Sequence, residues 1–222
     1  MKRVLKIWLV VLLLATAREA RAQGFINLNF ESAKIIPDPT SPFFPFGIAV
    51  TNALPGWTVI LGGSTVSSMT YNAPAVGATF VTLDATNGQQ LSGKNSVVLQ
   101  GGLSLSSATI SQTALVPVGT DSLFFEAQQS GVGNFVVSLG GQNLAFSALG
   151  SGANYTLYGA DVSAFAGQVE TLSFSALQVS NFINDWNLDN IQFSSSAVPE
   201  PGALGLFGLG SAVLVWQRRK LI

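Results

Sequence analysis

The chain has 222 residues and a formal net charge of −1, a balance that hides a segregation of charge into its two ends. Between residues 23 and 197 only Lys34 and Lys94 stand against nine carboxylates, a net charge of −7, so nucleic acid is excluded as a partner because its phosphates demand lysine and arginine. Without cysteine or histidine, the chain has no disulfide scaffold, thiol nucleophile, Ser-His-Asp triad or ordinary zinc site.

Met1 to Ala22 reads as a secretory signal peptide and a first helix. Lys2, Arg3 and Lys6 form the positive start, Ile7 to Ala17 the apolar stretch, and Ala20-Arg21-Ala22 the small-x-small cleavage pattern. Cleavage there would leave Gln23 as the first mature residue. Arg18, Glu19 and Arg21 put unusual charge beside the cut, and an uncleaved N-terminal anchor is the alternative. The secretion machinery is the partner this segment implies.

Residues 23–196 form one domain, about 175 residues long and large enough for a substantial core. The stretch is rich in Val, Thr, Ser, Phe and Gly, in short alternating runs broken by turn residues, and no segment repeats at helical spacing. Strands are predicted over 25–31, 57–61, 79–83, 96–100, 108–113, 122–128, 154–161, 171–179 and 187–194. The clearest unit is 134–148, where Gly140-Gly141 turns an alternating hairpin. That turn would set Val137 opposite Leu144 and Phe135 opposite Phe146. Pro37, Pro39, Pro42 and Pro45 mark a long irregular loop. About ten short strands point to an all-β, two-sheet antiparallel sandwich, most simply a jelly roll.

The tail, residues 197–222, is of another kind. Val198-Pro199-Glu200-Pro201-Gly202 is followed by an uncharged apolar run to Trp216 and by Arg218, Arg219 and Lys220. As a helix, residues 202–217 would span roughly 24 Å, short of the roughly 30 Å hydrocarbon core of a bilayer. Three glycines weaken it further, so the tail is a marginal transmembrane helix whose basic stop stays cytoplasmic. A permanent anchor or a helix packed on the domain are the alternatives. The Pro-Glu-Pro, the glycine-laced helix and the basic end together resemble the PEP-CTERM sorting signal. That resemblance implies an exosortase-type membrane enzyme as partner, processing near Pro199, Glu200 and Pro201, and an exported protein that ends at the cell surface or outside the cell.

A second resemblance runs through 25–194. Asn29-Phe30-Glu31, Pro55-Gly56-Trp57, Ile110-Ser111-Gln112-Thr113 and Leu188-Asp189-Asn190-Ile191 are similar to motifs of galactose-binding-like jelly rolls, a grouping that includes carbohydrate-binding modules. By that likeness Glu31 and Asp189 are the pair expected at a structural calcium, which needs six to eight oxygens; the plain reading is two polar residues capping turns. Trp57 and Trp186, the domain's two tryptophans, are candidate platforms for an extracellular polysaccharide, or else core. Glu126, Asp161, Glu170 and Asp185 are the acids that a glycosidase would have to pair, and no spacing pairs them, so no catalytic residue is expected. Glu126 alternates with Phe125 and Ala127 as a solvent-facing residue does. The sequence thus points to a non-enzymatic exported β-sandwich that binds polysaccharide or serves structurally in the matrix. The alternatives are a secreted polysaccharide-active enzyme and a ligand-free surface protein on a permanent anchor.

Overall fold

A computed structural model describes residues 23–73, 78–85, 88–102, 107–178 and 182–198. The signal helix with Ala20 and Ala22, the Pro199-Glu200-Pro201 motif, the apolar tail helix and the basic stop at Arg218, Arg219 and Lys220 lie outside the described residues. Among the described residues no helix is long and apolar enough to cross a membrane.

The period-2 patterning resolves into fourteen strands among the described residues. They are β1 (Gly47–Ala49), β2 (Thr58–Leu61), β3 (Ser64–Val66), β4 (Ser68–Tyr71), β5 (Phe80–Asp84), β6 (Ser96–Gly101) and β7 (Ala108–Leu115). After these come β8 (Ser122–Gly131), β9 (Phe135–Leu139), β10 (Gln142–Asn143), β11 (Phe146–Ser151), β12 (Thr156–Asp161), β13 (Val169–Ala176) and β14 (Asn184–Ser194). One sheet runs β1-β4-β5-β6-β14-β8-β12-β11 and the other β10-β9-β13-β7-β2-β3. The ladders are antiparallel except for β4 beside β5, which is parallel. The fully antiparallel expectation is corrected there: the chain returns to the starting end of β4 between Tyr71 and Phe80.

The two sheets bury their facing rows against each other. Val81 and Leu83, Val97 and Leu99, Leu123 and Phe125, and Trp186 and Leu188 come from the larger sheet. Val59, Ile110, Val137, Leu139, Leu172 and Phe174 come from the smaller, and all are buried. Each such side chain contributes about 1.5–3 kcal/mol of transfer free energy. Phe125 is the aromatic hub, with Phe146, Tyr158 and Phe174 each 5.4 Å from its ring centroid and Phe135 at 6.3 Å.

The 134–148 hairpin forms with the anticipated register. Gly140 and Gly141 sit at φ 60° and 76°, the positive values that a tight two-residue turn demands. The Leu144 N–H donates to the Val137 carbonyl at 2.8 Å, and the Phe135 and Phe146 rings meet at 6.4 Å. The alternation did not reveal that the chain changes sheets here: β9 and β10 belong to the smaller sheet, while Phe146 opens β11 at the edge of the larger.

The strand expected over 25–31 does not form. Asn27 and Phe30 adopt φ 52° and 57°, which turns the chain out of any ladder. The buried Gln112 amide stands in for a strand partner, accepting the Ile26 N–H at 2.7 Å and donating to its carbonyl at 3.0 Å. Gly24 forms a single parallel bridge with Leu115.

Candidate functional site

Both tryptophans lie in the core, so neither offers a ring face to a sugar. Trp57 is 5% exposed, packs against Phe30 and Phe174, and donates its indole N–H to the Asn27 carbonyl at 3.1 Å. Trp186 is 6% exposed, stacks on Phe135 at 4.6 Å and donates to Asn184 Oδ1 at 3.0 Å. With the large apolar surface covered and the one polar group satisfied, core placement is the stable outcome.

Glu31 and Asp189 converge on one turn. Glu31 Oε1 accepts the Lys94 and Asn95 N–H groups at 2.6 and 3.0 Å, and Oε2 accepts Asn95 Nδ2 at 3.4 Å. Gly93, at φ 60°, has no room for a Cβ because that carboxylate lies over it. Asp189 Oδ2 accepts the Ser92 N–H and Oγ at 3.1 and 3.2 Å, and Oδ1 accepts the Asn190 N–H at 2.7 Å. Burial holds the Asp189 carboxyl up to about 7; the bonds from Asn190 and Ser92 pull it down, and the nearby Glu126 charge adds to the rise.

All four carboxylate oxygens therefore face hydrogen-bond donors, and among the described residues no three acids gather as metal ligands do. The pair is engaged by N–H and hydroxyl donors of this turn, where a bound calcium would take oxygen ligands. The pair fits a clamp on residues 92–95. Glu31→Gln should then cost about 1.5–3 kcal/mol, the usual worth of charge-assisted hydrogen bonds, while chelation with EDTA leaves the melting midpoint in place. A fall on chelation would return calcium to the pair.

The outer face of the larger sheet is the unusual surface. Register places three rows across β5, β6, β14 and β8. Phe80, Gln100, Asp185 and Ser130 form the first, and Thr82, Val98, Asn187 and Gln128 the second. The third holds Asp84 and Ser96 on β5 and β6, with Asp189 opposite Glu126 on β14 and β8. Alternation makes this the solvent side, yet much of it is covered: Glu126 is 6% exposed, Asn187 8% and Thr82 2%. The solvent-facing reading of Glu126 is corrected here. Asn190, at φ 47° beside a break in the β14–β8 register, swings its amide over and donates to Glu126 Oε1 at 3.0 Å.

Among the described residues, six buried side-chain atoms have no hydrogen-bond partner: Thr82 Oγ1, Ser96 Oγ, Gln100 Oε1, Glu126 Oε2, Asp185 Oδ1 and Asn187 Oδ1. All six lie on this grid, two from each row. Buried polar atoms are nearly always paired, so a face that leaves six of them open is short of partners. A cleft of about 480 Å³ opens over the first two rows, its lining including Phe80, Thr82, Asp84, Gln89, Val98, Gln128, Asp185 and Asn187. Burial pushes the Asp185 carboxyl up to about 6.

The four acids considered for hydrolysis are not gathered. Glu170 is on β13 of the other sheet, and Asp161 ends β12, where it accepts from Ser163. Glu126 and Asp185 share the outer face four residues apart along the ladder, about 13 Å at strand rise.

Residues 197–220 match the family model described as the PEP-CTERM protein-sorting motif. The chain carries a PEP-CTERM sorting signal. No curated protein matches this chain. Among solved structures, its fold is similar to the enzymatically active domain of bacteriophage CBA120 tailspike protein 4, at 14% identity and TM-score 0.39, covering 63% of this chain and 19% of that one. It is also similar to the family 11 carbohydrate-binding module of Clostridium thermocellum, at 11% identity and TM-score 0.38, covering 69% of this chain and 97% of that one.

Proposed function

We propose that this is an exported jelly-roll carbohydrate-binding protein, delivered by its PEP-CTERM signal and holding an extracellular polysaccharide in the cleft over β5, β6, β14 and β8. The observation that carries the reading is that three residues lining the cleft hold buried polar atoms without partners, Thr82 Oγ1, Asp185 Oδ1 and Asn187 Oδ1. A glycan answers that demand with closely spaced hydroxyls.

The sorting signal marks an exported, surface-directed protein. In this proposal the secretion machinery takes the chain across by residues 1–22, the tail holds it in the membrane, and an exosortase-type enzyme acts near Pro199–Pro201. The proposed role is binding and not turnover. The ladder offset of about 13 Å between Glu126 and Asp185 favours this, since a glycosidase sets its carboxyls about 5–9.5 Å apart.

Isothermal titration with a panel of soluble polysaccharides tests the proposal. Wild type should bind at least one of them, and Asn187→Ala should weaken that binding by about tenfold or more, about 1.4 kcal/mol, with an unchanged circular dichroism spectrum. A panel with no binder, or a variant that binds as wild type does, would favour the ligand-free structural role instead.

A further inference from the structure

We propose that the cleft selects glycans bearing free amines, hexosamine units with ammonium groups, over neutral glycans, and rejects glycans that carry carboxylates. This rests on the glycan-binding reading above. Three features of the sheet face point the same way.

The first is charge. Asp185 and Asp84 line the cleft, and no lysine or arginine does. A uronate placed here would meet the like charge of Asp185, and an ammonium would meet the opposite.

The second is the direction of the open hydrogen bonds. Asn187, a cleft-lining residue 8% exposed, commits its Nδ2 to the Gln89 carbonyl at 2.7 Å, which leaves Oδ1 as a buried acceptor without a partner. Asp185 Oδ1 is a second such acceptor on a residue lining the cleft. Beside them, Gln100 has Nε2 engaged by the Ala78 carbonyl and Oε1 open. A ligand must therefore bring donors, and an ammonium brings three with no acceptor of its own.

The third is energetic. Asp185 is crossed by Gln100 on β6 and Ser130 on β8, both neutral, and burial alone pushes its carboxyl up to about 6. A cation seated against it removes that penalty, so binding an amine and ionising Asp185 reinforce each other.

Titration calorimetry on the full chain near pH ~6.5, where the acid is mostly ionised, separates the possibilities with three probes. These are a 1,4-linked β-glucosamine hexamer, the matching glucose hexamer and a 1,4-linked uronate hexamer. The glucosamine hexamer should bind about tenfold tighter than the glucose hexamer at low salt, with the gap closing as salt is raised, and the uronate should give no heat. D185N should shrink the ratio between the first two to within about threefold, whatever it does to each. Equal or tighter binding of the glucose hexamer, or any binding of the uronate, overturns the charge selection and leaves the glycan-binding reading in place. No heat from these probes or from the polysaccharide panel would remove both.

Discussion

Replacing Phe125 with alanine lowers the melting midpoint by about 10–15 °C. Its ring is fully buried and touches aromatic side chains of both sheets, Phe135 and Phe174 across the core and Phe146 and Tyr158 beside it. Truncation removes the transfer free energy of the ring and leaves a cavity that four stiff aromatics cannot collapse into. Together these cost about 3–5 kcal/mol, and at this chain length each kcal/mol moves the midpoint by about 2–4 °C. Differential scanning calorimetry on Phe125→Ala and Phe125→Leu checks it. The leucine variant should recover more than half of the loss, and a shift below about 4 °C for alanine would mean that the aromatic cluster does not behave as one unit.

Stability should fall as pH rises from about 4 to 7, the reverse of ordinary acid denaturation. Asp189 holds its proton up to about 7 in the folded state, against 3.8 for an ordinary aspartate. Between those values the folded chain binds a proton that the unfolded chain has released. The stabilisation is thus complete below the unfolded value and is lost as pH climbs through the folded one. Asp185, pushed to about 6 by burial, adds in the same direction but less, being more open to water. Asp38 and Asp161 are held low by bonds from Thr40 and Ser163 respectively, and their opposite slope acts only below about 4. The urea midpoint at pH ~5 should exceed that at pH ~7.5, by on the order of 2 kcal/mol in unfolding free energy. Asp189→Asn should flatten the slope. Equal midpoints would mean that Asp189 ionises freely in the fold.

Local alternation with a matching turn was readable in advance. Phe135, Val137 and Leu139 before Gly140-Gly141 specify a hairpin and its register, because a one-residue slip would turn every apolar side chain outward. Strands β1, β3 and β4 were not readable, being three or four residues long in Ser-, Gly- and Pro-rich sequence whose ladders are set by distant partners. The 25–31 segment alternates like a strand, but Asn27 and Phe30 turn the backbone and the Gln112 amide takes the place of a ladder. The cleft was the least legible feature. Thr82, Gln100, Glu126, Asp185 and Asn187 sit at every second position of four strands, which is also how an ordinary solvated face reads. The register that joins them and the covering that buries them are both tertiary facts. The tryptophans drew attention because they are rare, and rarity does not separate core from surface.

The position of β14 has a consequence for the order of events during export. It is the last strand to emerge, yet it lies in the middle of the larger sheet, between β6 and β8. A chain leaving the cell N-terminus first therefore cannot join the two halves of that sheet until residues 184–194 have crossed. Most pairings link positions far apart in sequence, a topology that is slow to form. In the export proposed above, the central ladder of the larger sheet closes only after residues 184–194 have crossed. A truncation that ends before Asn184 should yield no cooperative melting transition at all.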